Sequence, residues 1–162
     1  MKTFKLSVIL FVFLSVFTSC GGNKSNQSSK TAPGVGATTT SSTEDYDPKR
    51  GEGKYTSENL ILDGTLNSSM ADVGEKISGV KCTSCHKITE EKLVGPGWKG
   101  VTQRRTPHWI LNFITNPDPM IDKDPELQAQ LELCLVRMPN QSLSEDDARN
   151  VLEFMRKNDG VK

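Results

Sequence analysis

Lys81-Cys82-Thr83-Ser84-Cys85-His86 constrains this chain more than any other stretch of its sequence. Two thiols three positions apart, followed at once by an imidazole, put two nucleophilic sulfurs and a nitrogen ligand on a single turn. Three chemistries use such a close cysteine pair. A zinc knuckle needs further ligands, and only Cys134 and His108 remain, at no zinc-like spacing. A thioredoxin-like pair sits in a βαβ context, and no such alternation is visible here. The third chemistry is covalent attachment of haem c, in which the thiols add to the two vinyl groups and the His reaches the iron. Cys82, Cys85 and His86 are therefore the candidate cofactor-binding residues, with His86 also the candidate iron ligand.

Haem c is attached outside the cytoplasm, so the start of the chain bears on the same question. Lys2 and Lys5 form a positive segment, and Leu6–Phe17 is an almost unbroken apolar run. That run is short for a bilayer span and fits the apolar core of a signal peptide. It ends in Phe17-Thr18-Ser19-Cys20 followed by Gly21-Gly22. Small residues directly before a Cys resemble the lipobox of bacterial lipoproteins, with Phe17 standing where Leu is usual. The resemblance implies acylation at Cys20. Each buried CH₂ of an acyl chain contributes about 0.8 kcal/mol of membrane affinity.

From Gly21 to about Tyr55 the chain is rich in Ser, Thr, Gly and Lys and holds few apolar side chains. Such a stretch cannot offset the entropy of ordering and reads as a tether, with an r.m.s. reach of roughly 35 Å. The expected organisation is a lipoprotein signal peptide over 1–19, a lipid-anchored tether over 20–58 and one folded domain over 59–162. Leu60-Ile61-Leu62 is the first segment expected to pack. A domain of that size has a small core, which a haem would help to fill.

The full chain balances 20 Lys+Arg against 20 Asp+Glu; loss of Lys2 and Lys5 with the leader would leave 18 against 20, a net charge of −2. No basic block points to nucleic acid.

Within the domain the apolar spacing is helical. Met70, Val73, Ile77 and Val80 recur on one stripe, with Ser68 or Ser69 as candidate N-cap, and Gly74 in mid-helix suggests the close approach of another helix. Thr106-Pro107 opens a helix over His108–Thr115, and Asp124-Pro125 opens one over Glu126–Val136. Ser144 caps a last helix with Glu145, Asp146 and Asp147 in its first turn, Ala148, Val151, Leu152 and Met155 on its apolar stripe, and Gly160 as stop. No convincing alternating strand is present, so the expected class is all-α with about four to five helices.

From about Met70 to Lys157 the chain resembles a class I cytochrome c. The residues that carry the resemblance are Gly74, Cys82–His86, Gly95-Pro96, Met138-Pro139 and the capped helix Ser144–Lys157. It implies a fold wrapped round one covalent haem, with the Pro96 carbonyl accepting from His86 Nδ1–H, Phe154 over Gly74, and Trp98 with Arg104 or Arg105 near a haem propionate. Of the methionines, Met1 leaves with the leader and Met70 and Met155 sit on helix faces. Met120 and Met138 lie on Pro-rich loops. Met138, before Pro139 and the last helix, holds the family position of the second iron ligand. A His/Met pair raises the reduction potential relative to bis-His. His108 sits at a helix start and reads as solvent-facing or near a propionate; Cys134, between Leu133 and Leu135, reads as a buried structural thiol.

The expected function is electron transfer on the periplasmic side of a bacterial membrane. Its expected partners are a quinol-oxidising complex as donor and a reductase or terminal oxidase as acceptor, with no enzymatic activity of its own. A haem-based ligand sensor or a peroxidase-like protein with a displaceable sixth ligand is the alternative. The stretches WILNFITNPDPM, 109–120, and MPNQSLSEDDARNVLEFMRK, 138–157, resemble the lipoprotein cytochromes that accompany nitrous-oxide reductase in Bacteroidetes-type bacteria.

Overall fold

A computed structural model describes residues 46–162, and the leader, Cys20 and the tether up to residue 45 lie outside the described residues. Six helices run in the order α1 (Ser68–Lys81), α2 (Val101–Arg104), α3 (Pro107–Thr115), α4 (Pro117–Lys123), α5 (Pro125–Cys134) and α6 (Glu145–Asn158), with no strand among the described residues. The all-α expectation holds. The two helices beyond the four placed from sequence, α2 and α4, span 4 and 7 residues. Such lengths are too short to show a period, and Pro117 starts α4 where Pro-Asp-Pro suggested only a loop.

The last helix organises the rest. Ser144 caps α6 through its hydroxyl, which accepts from Asp147 N, and the acids of its first turn and the cations of its last face the right ends of the helix dipole. Ala148, Val151, Leu152 and Met155 are buried on it, and each of the larger ones contributes about 1.5–3 kcal/mol by leaving water. Across this face lies α1, and its capping residue is Asn67, whose Oδ1 accepts from Met70 N, rather than Ser68 or Ser69.

The buried face of α1 also differs from the expected stripe: it is Ala71, Gly74 and Ser78, while Val73 and Val80 are 44% and 84% exposed. The reason is distance. A Cβ on Gly74 would stand 1.9 Å from the carbonyl oxygen of Asn150, so the two backbones touch where the helices cross and only small side chains fit between them. Phe154 lies edge-on to Trp98, ring centroids 6.4 Å apart.

Packing begins well before Leu60. Tyr55 is buried at 2% exposure. The amide of Asn112, itself buried on α3, accepts from Tyr55 N at 2.9 Å and donates to the carbonyls of Arg50 and Tyr55 at 3.0 Å each. Tyr46 donates to Asp124 at 2.6 Å. Residues 46–58, drawn with the tether from composition, are thus a strap across α3 and α4. It is fastened by polar groups that meet across 57 to 78 positions of sequence. Of the trio that follows, Leu60 packs and Ile61 points outward. The buried Glu153–Arg156 pair holds the next loop, Glu153 accepting from Asn67 N and Arg156 donating to the Asp63 carbonyl.

Candidate functional site

The site grows from the end of α1. Cys82 is its C-cap, with its N–H on the Ser78 carbonyl, and the N–H groups of Cys85 and His86 both turn back to the Cys82 carbonyl at 3.0 Å. That tight turn gathers two thiols and an imidazole. The chain then doubles back, with Gly95 N donating to Cys85 O at 2.9 Å and Trp98 N to Lys87 O at 2.9 Å. Gly95 lies flat against the His86 ring: a Cβ there would stand 2.4 Å from Cε1. A glycine is needed for that close approach.

His86 Nδ1 lies 2.8 Å from the Pro96 carbonyl oxygen. A carbonyl can only accept, so Nδ1 carries the proton and Nε2 keeps its lone pair. The ring is steadied further by Trp98, at a centroid distance of 5.9 Å, which in turn rests on Phe154 of α6. Burial pushes the Cys82 thiol above its ordinary pKa, with the nearby Ser78 hydroxyl opposing the shift.

These groups open onto a cavity of about 360 Å³ lined by Cys82, Cys85, His86 and Pro96 on one stretch of chain and by Met138 and Pro139 on another. Its walls are largely apolar, built from Trp98, Trp109, Ile110, Phe113, Val151 and Met155. A second, smaller cleft of about 90 Å³ shares Cys85, His86 and Met138 with it. Arg104 and Arg105 line the larger cavity; the Arg105 guanidinium lies 4.2 Å above the Trp109 ring and pairs with Glu126. Free sulfurs, an imidazole with an open nitrogen, a thioether and apolar walls round one cavity form a donor set and a seat that fit a covalent haem.

The two loop methionines part company. Met138 faces both cavities, whereas Met120 is fully buried beneath the strap, its side chain filling the place where a Cβ on Gly51 would stand, and lines neither. The backbone N–H of Lys49 holds the Asp47 carboxyl below its ordinary value, with His108 a minor contributor; His108 is half-buried and is not part of the cavity. Cys134 is half-buried rather than enclosed, because Leu135 in the left-handed region (φ 58°) ends α5 there, two residues before the expected Val136. Cys134 stands in the wall of the smaller cleft. Arg137 and Gln130, which sequence reasoning passed over, also line that cleft.

The family model for cytochrome c matches residues 71–159. The chain belongs to the cytochrome c family. Within it, a "Cytochrome c-553-like" protein from Synechocystis is 33% identical over 81 residues, which is 48% of this chain and 72% of that one. Among solved structures, the cytochrome c from Rhodothermus marinus superposes with a TM-score of 0.61 at 30% identity, covering 65% of this chain and 90% of its own. An engineered form of that Rhodothermus protein gives a TM-score of 0.62 at 30% identity over 70% of this chain and 98% of that one. Membership brings a covalently bound haem c and haem-based electron transfer, and it makes this chain a class I monohaem cytochrome with redox proteins as its partners.

Proposed function

We propose that this cytochrome is a membrane-tethered electron carrier with thioether bonds at Cys82 and Cys85 and iron held by His86 and Met138. The observation that carries the ligand assignment is that His86, its Nδ1 committed to Pro96, and Met138 line the same cavity. When bound, the haem supplies a one-electron couple, which a thioether ligand shifts to higher potential. The chain's own residues do the rest. Pro96 and Gly95 fix the plane of the His86 ring, the apolar walls keep water from the seat, and Arg104 and Arg105 offer charge to the propionates. With Met138 in place no iron position is open to substrate, which favours a carrier over the sensor or peroxidase alternative.

The leader, the lipobox-like junction and the polar stretch after Cys20 support tethering by acylation of Cys20, on the periplasmic side of a bacterial membrane. The tether would raise the effective concentration of the domain near membrane-bound donors, such as a quinol-oxidising complex, while docking stays transient. A terminal oxidase or a periplasmic reductase is the acceptor class, with nitrous-oxide reductase the narrower candidate from the resemblance of 109–120 and 138–157.

Four measurements test this reading. Acidified acetone should leave the haem on the denatured chain, and haem in the solvent would remove the thioether assignment. Carbon monoxide should bind the reduced protein poorly; rapid binding would establish the open-site alternative. Cys20→Ala should release the protein from membranes. Stopped-flow mixing with an oxidase and with nitrous-oxide reductase then separates the acceptors.

A further inference from the structure

Met138 is carried on a loop, and the residue before it is unusually well tied. Arg137 donates from Nε to Asp118 Oδ1 at 2.7 Å, from an Nη to the Asp118 backbone carbonyl at 3.0 Å, and from the same end to Asp122 Oδ1 at 2.8 Å. Asp118 and Asp122 stand four residues apart on α4 and so project from one face of it. The two carboxylates hold the guanidinium in its charged form. A second tie follows two residues after Met138, where the Asn140 amide donates to the Thr115 carbonyl at 3.1 Å.

The base of the clamp is itself fixed. Met120 is fully buried beneath Gly51, Lys123 pairs with Glu52 at 3.0 Å, and Asp124, the residue after α4, receives the Tyr46 hydroxyl. The strap thus holds α4 from one side while Arg137 grips it from another.

We infer that Arg137 is a positioning residue for the iron ligand: its fork on Asp118 and Asp122 fastens the Met138 loop to α4 and keeps the thioether at the iron against exchange with other ligands. The inference rests on the reading of Met138 as ligand. A planar guanidinium that spans two carboxylates and a carbonyl sets direction as well as distance, which a point charge cannot do.

The test uses the full-length holoprotein with four variants: Arg137→Gln, Arg137→Lys, the double variant Asp118→Asn/Asp122→Asn, and Met138→Ala as reference. Arg137→Gln should raise the affinity of the oxidised protein for imidazole about tenfold. It should also lower the temperature at which the sulfur-to-iron charge-transfer band disappears, well below the temperature at which helicity is lost. The double variant should move both in the same direction, and Arg137→Lys should fall between, since it keeps the charge and loses the fork. If imidazole affinity stays at the wild-type level in both Arg137→Gln and the double variant, the clamp has no part in ligation and the inference is overturned. The same holds if the band and the helicity are lost together at one lowered temperature, which would make Arg137 merely structural. Should Arg137→Gln not accumulate, Arg137→Lys and the double variant carry the same two readouts. Retention of the band in Met138→Ala would instead overturn the ligand assignment beneath the inference.

Discussion

The two sides of the haem cavity are held by different kinds of force. On the side of Cys82, Cys85 and His86, α1 meets α6 backbone to backbone at Gly74 and Asn150, and the walls behind the cysteines are buried apolar side chains. On the side of Met138 the chain is a loop held to α4 by an exposed guanidinium and to the end of α3 by one amide. Close packing is insensitive to salt and tolerates no extra volume. Polar ties at a surface are individually weak and can be exchanged. The cysteine end of the site is therefore rigid by shape, and the Met138 end is rigid by hydrogen bonding.

The contrast breaks most sharply at the crossing. Gly74→Val should cost more than about 3 kcal/mol, because backbone cannot yield to a side chain at that distance, and no folded holoprotein should accumulate. Leu152→Ala, in the core of α6, should cost about 2–5 kcal/mol in chemical unfolding and leave the charge-transfer band in place. Gly95→Ala pushes on the His86 ring; it should cost about 1–3 kcal/mol and, unlike Leu152→Ala, change the haem spectrum. Asn112→Ala strips the strap of its central amide and leaves buried backbone groups unpaired, again about 1–3 kcal/mol. Limited proteolysis of that variant should cut first within residues 46–58.

The smallest effect belongs to Tyr46→Phe, and it carries a sign. Burial and the Asp124 carboxylate hold the Tyr46 phenol well above its ordinary value. Its protonated form is therefore favoured by folding. That contribution is whole below about pH 10, where a free tyrosine begins to ionise, and is lost as pH rises toward the folded value. Wild type should lose its stability advantage over Tyr46→Phe as pH rises through the alkaline range. An advantage that stayed constant throughout that range would contradict the placement of Tyr46 on Asp124.

What could be read from the sequence follows the same division. Local chemistry was legible: the cysteine and histidine spacing, the Thr106, Asp124 and Ser144 caps, and the stripe of α6 all depend on neighbours within one turn. The face of α1 was not, because the helix buries its smallest residues against α6, leaves Val73 at the surface and turns Val80 to the cavity, a choice made by what packs around it. The strap was not legible either. Its composition is polar, and its order comes from Asn112 and Asp124, far along the chain. The Arg137 clamp went unseen because it exists only once residues 117–123 are a helix that aligns Asp118 with Asp122, and seven residues starting at Pro117 show no period.

The ligand pair tests the whole account most directly. The oxidised holoprotein should show a weak sulfur-to-iron charge-transfer band that Met138→Ala abolishes and Met120→Ala, whose side chain lies beneath Gly51 away from the cavity, preserves. Loss of the band in Met120→Ala with retention in Met138→Ala would contradict it.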